Sequence, residues 1–484
     1  MLNLKSAIAA NRFGLGARPG DASRIGSDPQ GWLLAQIDAP GARRIARPDS
    51  DTQPDSAVIL EEVRELRLIR QAAQSARNNE AIQVDEDSIR EYGRFIASNY
   101  QEQAASGFRQ AIVSDQPFRE RLVRFWQNHF AISADKQPIG AIAGLYRDEA
   151  LRPNITGNFR ELLTAAVRHP AMLLYLDNIQ SIGPDSTLGR LAGRRRNAGL
   201  NENLSREILE LHTLGVDGGY TQDDVIEFSK ALTGWSIGGQ GPGAERGLRA
   251  VTDRIAASFD SSKPGEFAFR EVIHEPGAKH ILGERFAERG VEEAEAVLDF
   301  LARQPQTANF LATKLARHFV ADEPPASLVD MLEKTYLDND GELAPVYRAL
   351  VNADVSWQEP QSKYKTPEEF LISSYRATGT REPRRNNELI AMATQLGQRP
   401  LTPGSPAGWP DIAANWNGGD ALLKRIELAT SLGNSIGDRI DAAAHVDEIL
   451  GATASDATRT SISRAESGAQ AIALMFSAPE FQRR

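Results

Sequence analysis

The sequence predicts a large, predominantly α-helical (all-α) protein, and three observations support this fold class. Segments with apolar residues at helical spacing occupy most of the 484-residue chain. No fixed-period repeat is present, which argues against a helical solenoid. Gly-rich and alternating apolar patterns are concentrated near residues 235–285, where we expect a small β-hairpin or irregular excursion. More than half of the residues should therefore be helical, with strand mainly within 245–285.

The predicted helices follow one another along the chain. Two long helices, rich in Glu, Arg, Gln and Ala, are expected at 56–80 and 86–114. Shorter apolar patterns predict helices at 118–131, 158–167, 170–177, 201–215, 291–304, 306–319, 326–337, 343–352, 367–378, 385–396, 420–433 and 455–476. Residues 399–416 are too rich in proline for regular structure. We expect one helical domain over 1–484, with a C-terminal helical subdomain over 362–484 as a further division.

Composition limits the classes of function. A formal net charge of -10 argues against nucleic-acid binding, because phosphate recognition needs a basic surface. Cysteine is absent and the histidines do not occur as a helical pair, so we expect no metal and no cofactor. No apolar run approaches the roughly 20 residues of a membrane span, and no signal-peptide core is visible at the N-terminus. The sequence as it stands therefore predicts a soluble protein with no membrane partner. It is cytoplasmic as given, but the absence of cysteine fits an exported protein equally well, so the compartment is left open.

The stretch from Asn201 to Gly215 carries the most informative pattern, because an apolar stripe and a polar stripe lie side by side on one helix. The apolar stripe is Leu204, Ile208 and Leu211. The polar stripe is Asn203, Arg206, Glu207 and Glu210. Neighbouring carboxylates push their pKa values apart, which divides acid and base roles in glycoside hydrolysis. Arg and Glu at this spacing are also common on solvated helices, so a solvated face is the alternative.

Three residues beyond this helix are candidates to act with it. Tyr220 follows the helix closely and could reach the same region. His274 and Lys279 lie in an irregular segment that also contains Glu275. Irregular segments held by a rigid scaffold often carry functional groups. We therefore expect an acid, an imidazole and an amine near the polar stripe.

Aromatic segments supply the remaining candidates. His129 ends an aromatic-rich helix and is either a substrate-binding group or a core histidine. Trp235 and Trp409 each lie beside a glycine or a proline. They are either platforms for a flat or sugar-like ligand or lids over the core.

Several motifs together point to a family. They are Ala10–Gly16, Phe125–Phe130, Asn201–Gly215, Gly219–Val225, Leu232–Trp235, His274–Lys279, Leu396–Gln398, Gly408–Pro410 and Ser477–Phe481. With these motifs the chain resembles, nearly end to end, a large bacterial family catalogued as domain of unknown function 1800. Where that family usually has His-Asp, this chain has His274-Glu275. The resemblance implies a polar site built from the candidate residues above. Members of the family commonly look exported.

Three hypotheses for function follow. The first is a hydrolase-like, carbohydrate-active enzyme in which Glu207, Glu210 and His274 are catalytic and the substrate is a small molecule or glycan. Its substrate-binding residues would be Asn203, Arg206, Tyr220, Lys279, His129 and Trp235. The second is a non-catalytic helical scaffold that escorts a partner enzyme, for which the resemblance implies the sulfatase-like domain of unknown function 1501 family. The third is an anion- or phosphate-binding protein that uses Arg206, Lys279 and the arginines at 194–196.

Overall fold

The computed structural model describes residues 2–38, 54–77, 86–192, 199–239, 263–358, 362–380 and 387–484. It is 65% helical, with 23 helices and two small two-stranded sheets in the described chain. This confirms the predicted all-α fold class. Among the described helices, none combines the length and the apolar character that a membrane crossing requires.

The helices are numbered in chain order. Those before the first strand are α1 Leu4–Ile8, α2 Asp21–Ile25, α3 Pro29–Asp38, α4 Ser56–Arg77, α5 Glu86–Val113, α6 Pro117–His129, α7 Ala143–Tyr146, α8 Phe159–Arg168, α9 Pro170–Tyr175, α10 Thr187–Ala192, α11 Asn203–Glu207 and α12 Gln222–Leu232. Those after the last strand are α13 Val291–Ala302, α14 Pro305–Phe319, α15 Ala326–Asp338, α16 Leu343–Asn352, α17 Pro367–Ala377, α18 Glu388–Gln395, α19 Gly419–Ile436, α20 Ala442–Ile449, α21 Asp456–Ser463, α22 Gly468–Ser477 and α23 Pro479–Gln482.

The strands occupy the predicted excursion. The first sheet pairs β1 Trp235–Ile237 antiparallel with β2 Phe267–Phe269. The second pairs β3 Lys279–Ile281 antiparallel with β4 Glu284–Phe286. Leu282 and Gly283, which join β3 to β4, both have positive φ, as a tight hairpin turn requires. Residues 240–262 of the excursion lie outside the described chain.

Local signals set several helix boundaries. Thr221 caps α12 in a capping box with Asp224, as the sequence pattern predicts for this turn. Thr366 and Glu369 form the same box at the start of α17. The predicted helix at 455–476 is wrong in one respect, because Ser467 caps a new helix there and separates α21 from α22.

The buried apolar residues form two main clusters. The larger runs from Ile8 to Leu401 and contains the cores of α4 to α9 and of α11 to α16. The second is built mainly from α17 to α23. Residues 2–25 and 108–112 contribute to this second cluster. The helices of the predicted subdomain over 362–484 thus share a core with the N-terminal segment, and the division itself stays a prediction.

Candidate functional site

The predicted polar helix contains a π-helical turn that changes its buried face. After α11, residues Ile208–His212 form a π turn, a local insertion that is common at functional sites. Leu204 and Ile208 are buried as predicted. Leu211 is partly exposed, and Leu209 is buried instead. The predicted apolar stripe is therefore wrong at Leu211, because the extra residue in the turn rotates the helix beyond Ile208.

We call the polar side of this helix the acidic face, made of Glu202, Arg206, Glu207, Glu210 and Tyr220. The Arg206 guanidinium donates to Glu202 Oε2 at 3.0 Å and lies 3.5 Å from Glu210 Oε1. Glu210 contributes to the raised pKa of Tyr220, which places the tyrosine hydroxyl beside this carboxylate. The structure thus brings together four of the residues on which the enzyme hypothesis rests: Arg206, Glu207, Glu210 and Tyr220. The remaining residue of the predicted polar stripe, Asn203, has an exposed side chain.

Glu207 differs from its neighbours on the acidic face. Its half-buried side chain has no hydrogen bond or ion pair to any residue in the described chain. Burial raises the pKa of Glu207, the nearby Glu210 carboxylate raises it further, and Arg206 offsets this only in part. Partial burial and a like charge both favour the protonated carboxyl group.

Two tyrosines border the carboxylate pair. Burial and the neighbouring Glu210 carboxylate raise the pKa of Tyr220 to about 12. Burial also raises the pKa of Tyr175, and Glu207 contributes to that shift, which places Tyr175 near this carboxyl group. Asn201 donates to the Leu176 and Asp177 carbonyls at 3.2 and 3.0 Å and so anchors the start of the helix beside Tyr175. Sequence reasoning missed Tyr175, because its position depends on this long-range contact.

His274 and Lys279 belong to a separate, buried group that we call the Glu293 cluster. Lys279 Nζ donates to Glu293 Oε2 at 2.9 Å and to the Glu275 and Gly277 carbonyls at 2.6 and 2.7 Å. His274 Nε2 lies 3.1 Å from Glu293 Oε2, and its Nδ1 lies 2.7 Å from the Thr233 carbonyl. The three side chains are at most 4% exposed.

The Glu293 cluster holds the irregular segment in place. Glu275, next in the chain to His274, accepts a hydrogen bond from the Asp185 backbone N–H at 2.8 Å. Its own N–H donates to Thr233 Oγ1 at 2.8 Å. In the described chain, the side-chain hydrogen bonds and ion pairs of His274 and Lys279 are to Glu293, to Thr233 and to backbone carbonyls of their own segment. The structure therefore does not bring them to the acidic face.

His129 and Trp235 lie inside the core. His129 is 1% exposed and packs against Phe130 with ring centroids 4.5 Å apart. Burial holds the pKa of His129 well below its ordinary value. Trp235 is fully buried in β1 and packs edge-on against Phe267. Neither ring is available as a ligand platform on the surface in this conformation.

A second polar region, which we call the cleft, lies between α6, the end of α14, the start of α17 and residues 398–411. It contains a partly open cavity of about 80 Å³. Four of the family-like motifs reach it, through Leu15, Gln127, Asn128, Gln398, Trp409 and Pro410. Trp409, which the sequence suggested as an aromatic platform for a ligand, therefore lies in the wall of a cavity.

The centre of the cleft is a histidine–aspartate pair. His318 Nδ1 lies 2.7 Å from Asp411 Oδ2, and Lys363 Nζ lies 3.4 Å from Asp411 Oδ1. Burial lowers the pKa of His318, and Asp411 offsets this only in part. Burial alone would raise the pKa of Asp411, but His318, Lys363 and Arg484 lower it to about 2. At neutral pH we therefore expect a neutral imidazole that donates from Nδ1 to a carboxylate.

The charges around this pair are matched. Glu369 accepts from Arg121, and Arg484 Nε lies 3.1 Å from its Oε1. Although burial opposes it, these two guanidinium groups hold the pKa of Glu369 well below its ordinary value. Sequence reasoning missed His318 and Asp411. The one available signal was that Asp411 directly follows the Gly408–Pro410 motif.

Two observations bear on metal and anion binding in these regions. No group of three or more His, Asp or Glu side chains in the described ranges is arranged to hold a metal ion. The cations named for an anion site are also paired with carboxylates, Arg206 with Glu202 and Lys279 with Glu293. The arginines at 194–196 lie outside the described residues.

Comparison with known families gives a match that covers nearly the whole chain. The model of the family described as "Protein of unknown function (DUF1800)" matches residues 8–483. The chain belongs to the DUF1800 family. No curated protein and no solved structure has significant similarity to it. DUF1800 membership thus confirms the family resemblance and leaves the activity to be argued from the geometry of the sites.

Proposed function

We propose that this DUF1800 protein is an enzyme of the hydrolase type that uses Glu207 as its general acid or base. The observation that carries the proposal is the environment of Glu207. Its carboxyl group is partly accessible and unpaired within the described chain, with a raised pKa. A catalytic acid–base group needs a pKa shifted toward the operating pH. A carboxylate held only for stability would more commonly be paired.

Glu210 has the complementary environment. It lies 3.5 Å from the Arg206 guanidinium and has the Tyr220 hydroxyl beside it. Two nearby carboxyl groups in different environments can take the acid and base roles separately, as in glycoside hydrolysis. A small-molecule or glycan substrate with a hydrolysable bond fits this division.

Under this proposal Arg206 and Tyr220 orient the substrate at the acidic face. Asn203 is exposed at the start of the same helix and is available to bind a polar part of the substrate. The proposal assigns no chemical step to His274, because Glu293 and Thr233 surround its ring nitrogens. Its role would be to hold the irregular segment.

The first experiment measures the carboxyl pKa of Glu207 by NMR on protein carrying ¹³C-labelled glutamate. We expect a value above that of an exposed glutamate. Glu210→Gln should lower it, because the substitution removes a like charge. Glu202→Gln is the matched control, since Glu202 pairs with Arg206 on the same helix, and it should lower the value less than Glu210→Gln does, because Glu210 is the carboxylate that raises the Glu207 pKa. A Glu207 pKa that equals that of an exposed glutamate and does not change in Glu210→Gln would contradict the proposal.

The second experiment is a hydrolysis screen with 4-nitrophenyl glycosides, carboxylate esters and phosphate esters. We expect turnover of one class, and Glu207→Gln should reduce kcat by about 10²–10⁴-fold, the usual contribution of a general acid or base. Glu202→Gln should retain most of the activity. Turnover that Glu207→Gln does not reduce would exclude Glu207 as the general acid or base. No turnover of any class would favour the alternative proposal of a non-catalytic scaffold for a partner such as a domain of unknown function 1501 protein.

A further inference from the structure

The cleft contains polar atoms that the protein itself leaves unsatisfied. His318 Nε2 and the Tyr146 hydroxyl are both buried and have no hydrogen-bond partner in the described chain. Both residues line the cavity. A buried polar group without a partner costs about 1–3 kcal/mol, and native structures usually satisfy such groups with water or ligand.

The state of His318 determines what it can bind. Its Nδ1 faces the Asp411 carboxylate at 2.7 Å, so the proton of the neutral ring lies on Nδ1. Nε2 then presents a lone pair and acts as an acceptor. A carboxylate that fixes an imidazole in this way is the arrangement that orients a histidine toward a hydroxyl group in hydrolase triads. A ligand at His318 must therefore supply a donor such as O–H.

The charged groups of the wall favour a neutral ligand. Arg124 pairs with Glu368 at 2.5 Å, and Arg121 pairs with Glu369. Asp411 is held by His318 and by Lys363. Arg124 Nε has no hydrogen-bond partner in the described chain, but the charge of each of these groups is balanced inside the protein, so a charged ligand would compete with an existing pair.

Trp409 gives the cleft a fixed aromatic wall. Asn128 Nδ2 donates to the Trp409 carbonyl at 2.9 Å, and the Trp409 N–H donates to Asn128 Oδ1 at 2.7 Å. Gly408 has a φ of +81°, and a Cβ there would lie 2.4 Å from the Asn128 carbonyl oxygen. Only glycine allows this close approach. The backbone at Trp409 is thereby fixed at the cavity. Its ring, which also packs against Trp416 with centroids 6.1 Å apart, can there contact the C–H face of a cyclic ligand.

We propose that the cleft is a binding site for a small, uncharged, cyclic polyhydroxy molecule, with a ligand hydroxyl donating to His318 Nε2 and the ring lying against Trp409. The cavity of about 80 Å³ has room for several water molecules, which such a ligand would displace. The residues that line the cleft and those of the acidic face have no member in common. The two proposals can therefore fail separately.

The test is an NMR titration of ¹⁵N-histidine-labelled protein with myo-inositol, glucose and N-acetylglucosamine. Acetate and inorganic phosphate are the charged probes. We expect at least one neutral probe to shift the His318 Nε2 resonance and to bind about tenfold or more tightly than either anion. Preferential binding of an anion, or no shift with any neutral probe, would overturn the proposal.

Variants locate the site. His318→Phe keeps a flat ring but removes the acceptor, so it should weaken binding of the neutral probe by about tenfold or more. Trp409→Ala, at a partly exposed position, should weaken it as well and serves as the readout if His318→Phe does not fold. His445→Phe, a histidine in α20 outside the cleft, is the control and should bind as the wild type does. Binding unchanged in both cleft variants would place the ligand elsewhere and overturn the proposal.

Discussion

The acidic face and the Glu293 cluster are both built around glutamates and basic side chains, but they differ in whether the central carboxyl group is paired. In the Glu293 cluster, one fully buried carboxylate lies within 3.1 Å of both a lysine and a histidine nitrogen. On the acidic face, Glu207 is half-buried and has no partner in the described chain, and the pKa of Glu207 is raised. A paired buried charge holds structure, whereas an unpaired accessible one is available for chemistry. Residue type alone therefore does not identify a site.

The largest expected effect is on the stability of the Glu293 cluster. Glu293→Gln keeps the size of the side chain but leaves Lys279 as a buried cation without its carboxylate. Breaking a buried ion pair in this way costs about 3–5 kcal/mol. Urea unfolding followed by circular dichroism measures the loss.

Glu295→Gln is the matched control, since Glu295 is in the same helix and pairs with Arg168 through a side chain that is 32% exposed. It should cost less than about 1 kcal/mol, as exposed ion pairs do. Equal losses of unfolding free energy in the two variants would show that the cluster is not a buried ion network. The Glu293 cluster would then not differ from the acidic face in the way described above.

A smaller loss is expected on the acidic face itself. Arg206→Met removes the contacts of a side chain that is 36% exposed and should reduce the free energy of unfolding by about 0.2–1 kcal/mol. Added salt should reduce the difference between wild type and variant, because accessible charges are screened. A loss as large as that of Glu293→Gln would mean that Arg206 is the centre of a structural network and would weaken the enzyme proposal.

The smallest effect, and the one with the opposite sign, is expected for Glu207→Gln. A carboxyl group whose pKa is raised in the folded state stabilises the protein below its ordinary pKa, and this contribution is lost as pH rises through the folded value. Glu207→Gln should therefore leave the melting temperature at about pH 7 unchanged or raised. The difference from wild type should vanish at about pH 4, where Glu207 is protonated.

Thermal unfolding of Glu207→Gln and wild type at the two pH values tests this expectation. Glu202→Gln, which removes a paired carboxylate, should show no such gain. A fall of several degrees for Glu207→Gln at neutral pH would indicate that Glu207 stabilises the fold, and the acidic face would then resemble the Glu293 cluster.

The sequence determined the helical fold class, most helix positions and the polar side of the 203–212 helix. These features are set by residues close together in the chain, through apolar spacing and caps such as the Thr221 capping box. The same local information placed Arg206, Glu207 and Glu210 on one face. Tyr220 could be expected there because it follows the same helix closely.

The tertiary structure alone decided which charges are paired and which polar groups share a cavity. His318 and Asp411 are 93 residues apart, and Arg121 and Glu369 are 248 apart, so no local pattern predicts these contacts. Helical periodicity also could not reveal the π turn at 208–212, which exposes Leu211 and buries Leu209. The pKa of an ionisable group depends on its burial and on charges brought near it by the fold. For this reason the sequence suggested candidate residues, and only the packed structure separated the acidic face from the Glu293 cluster and formed the cleft.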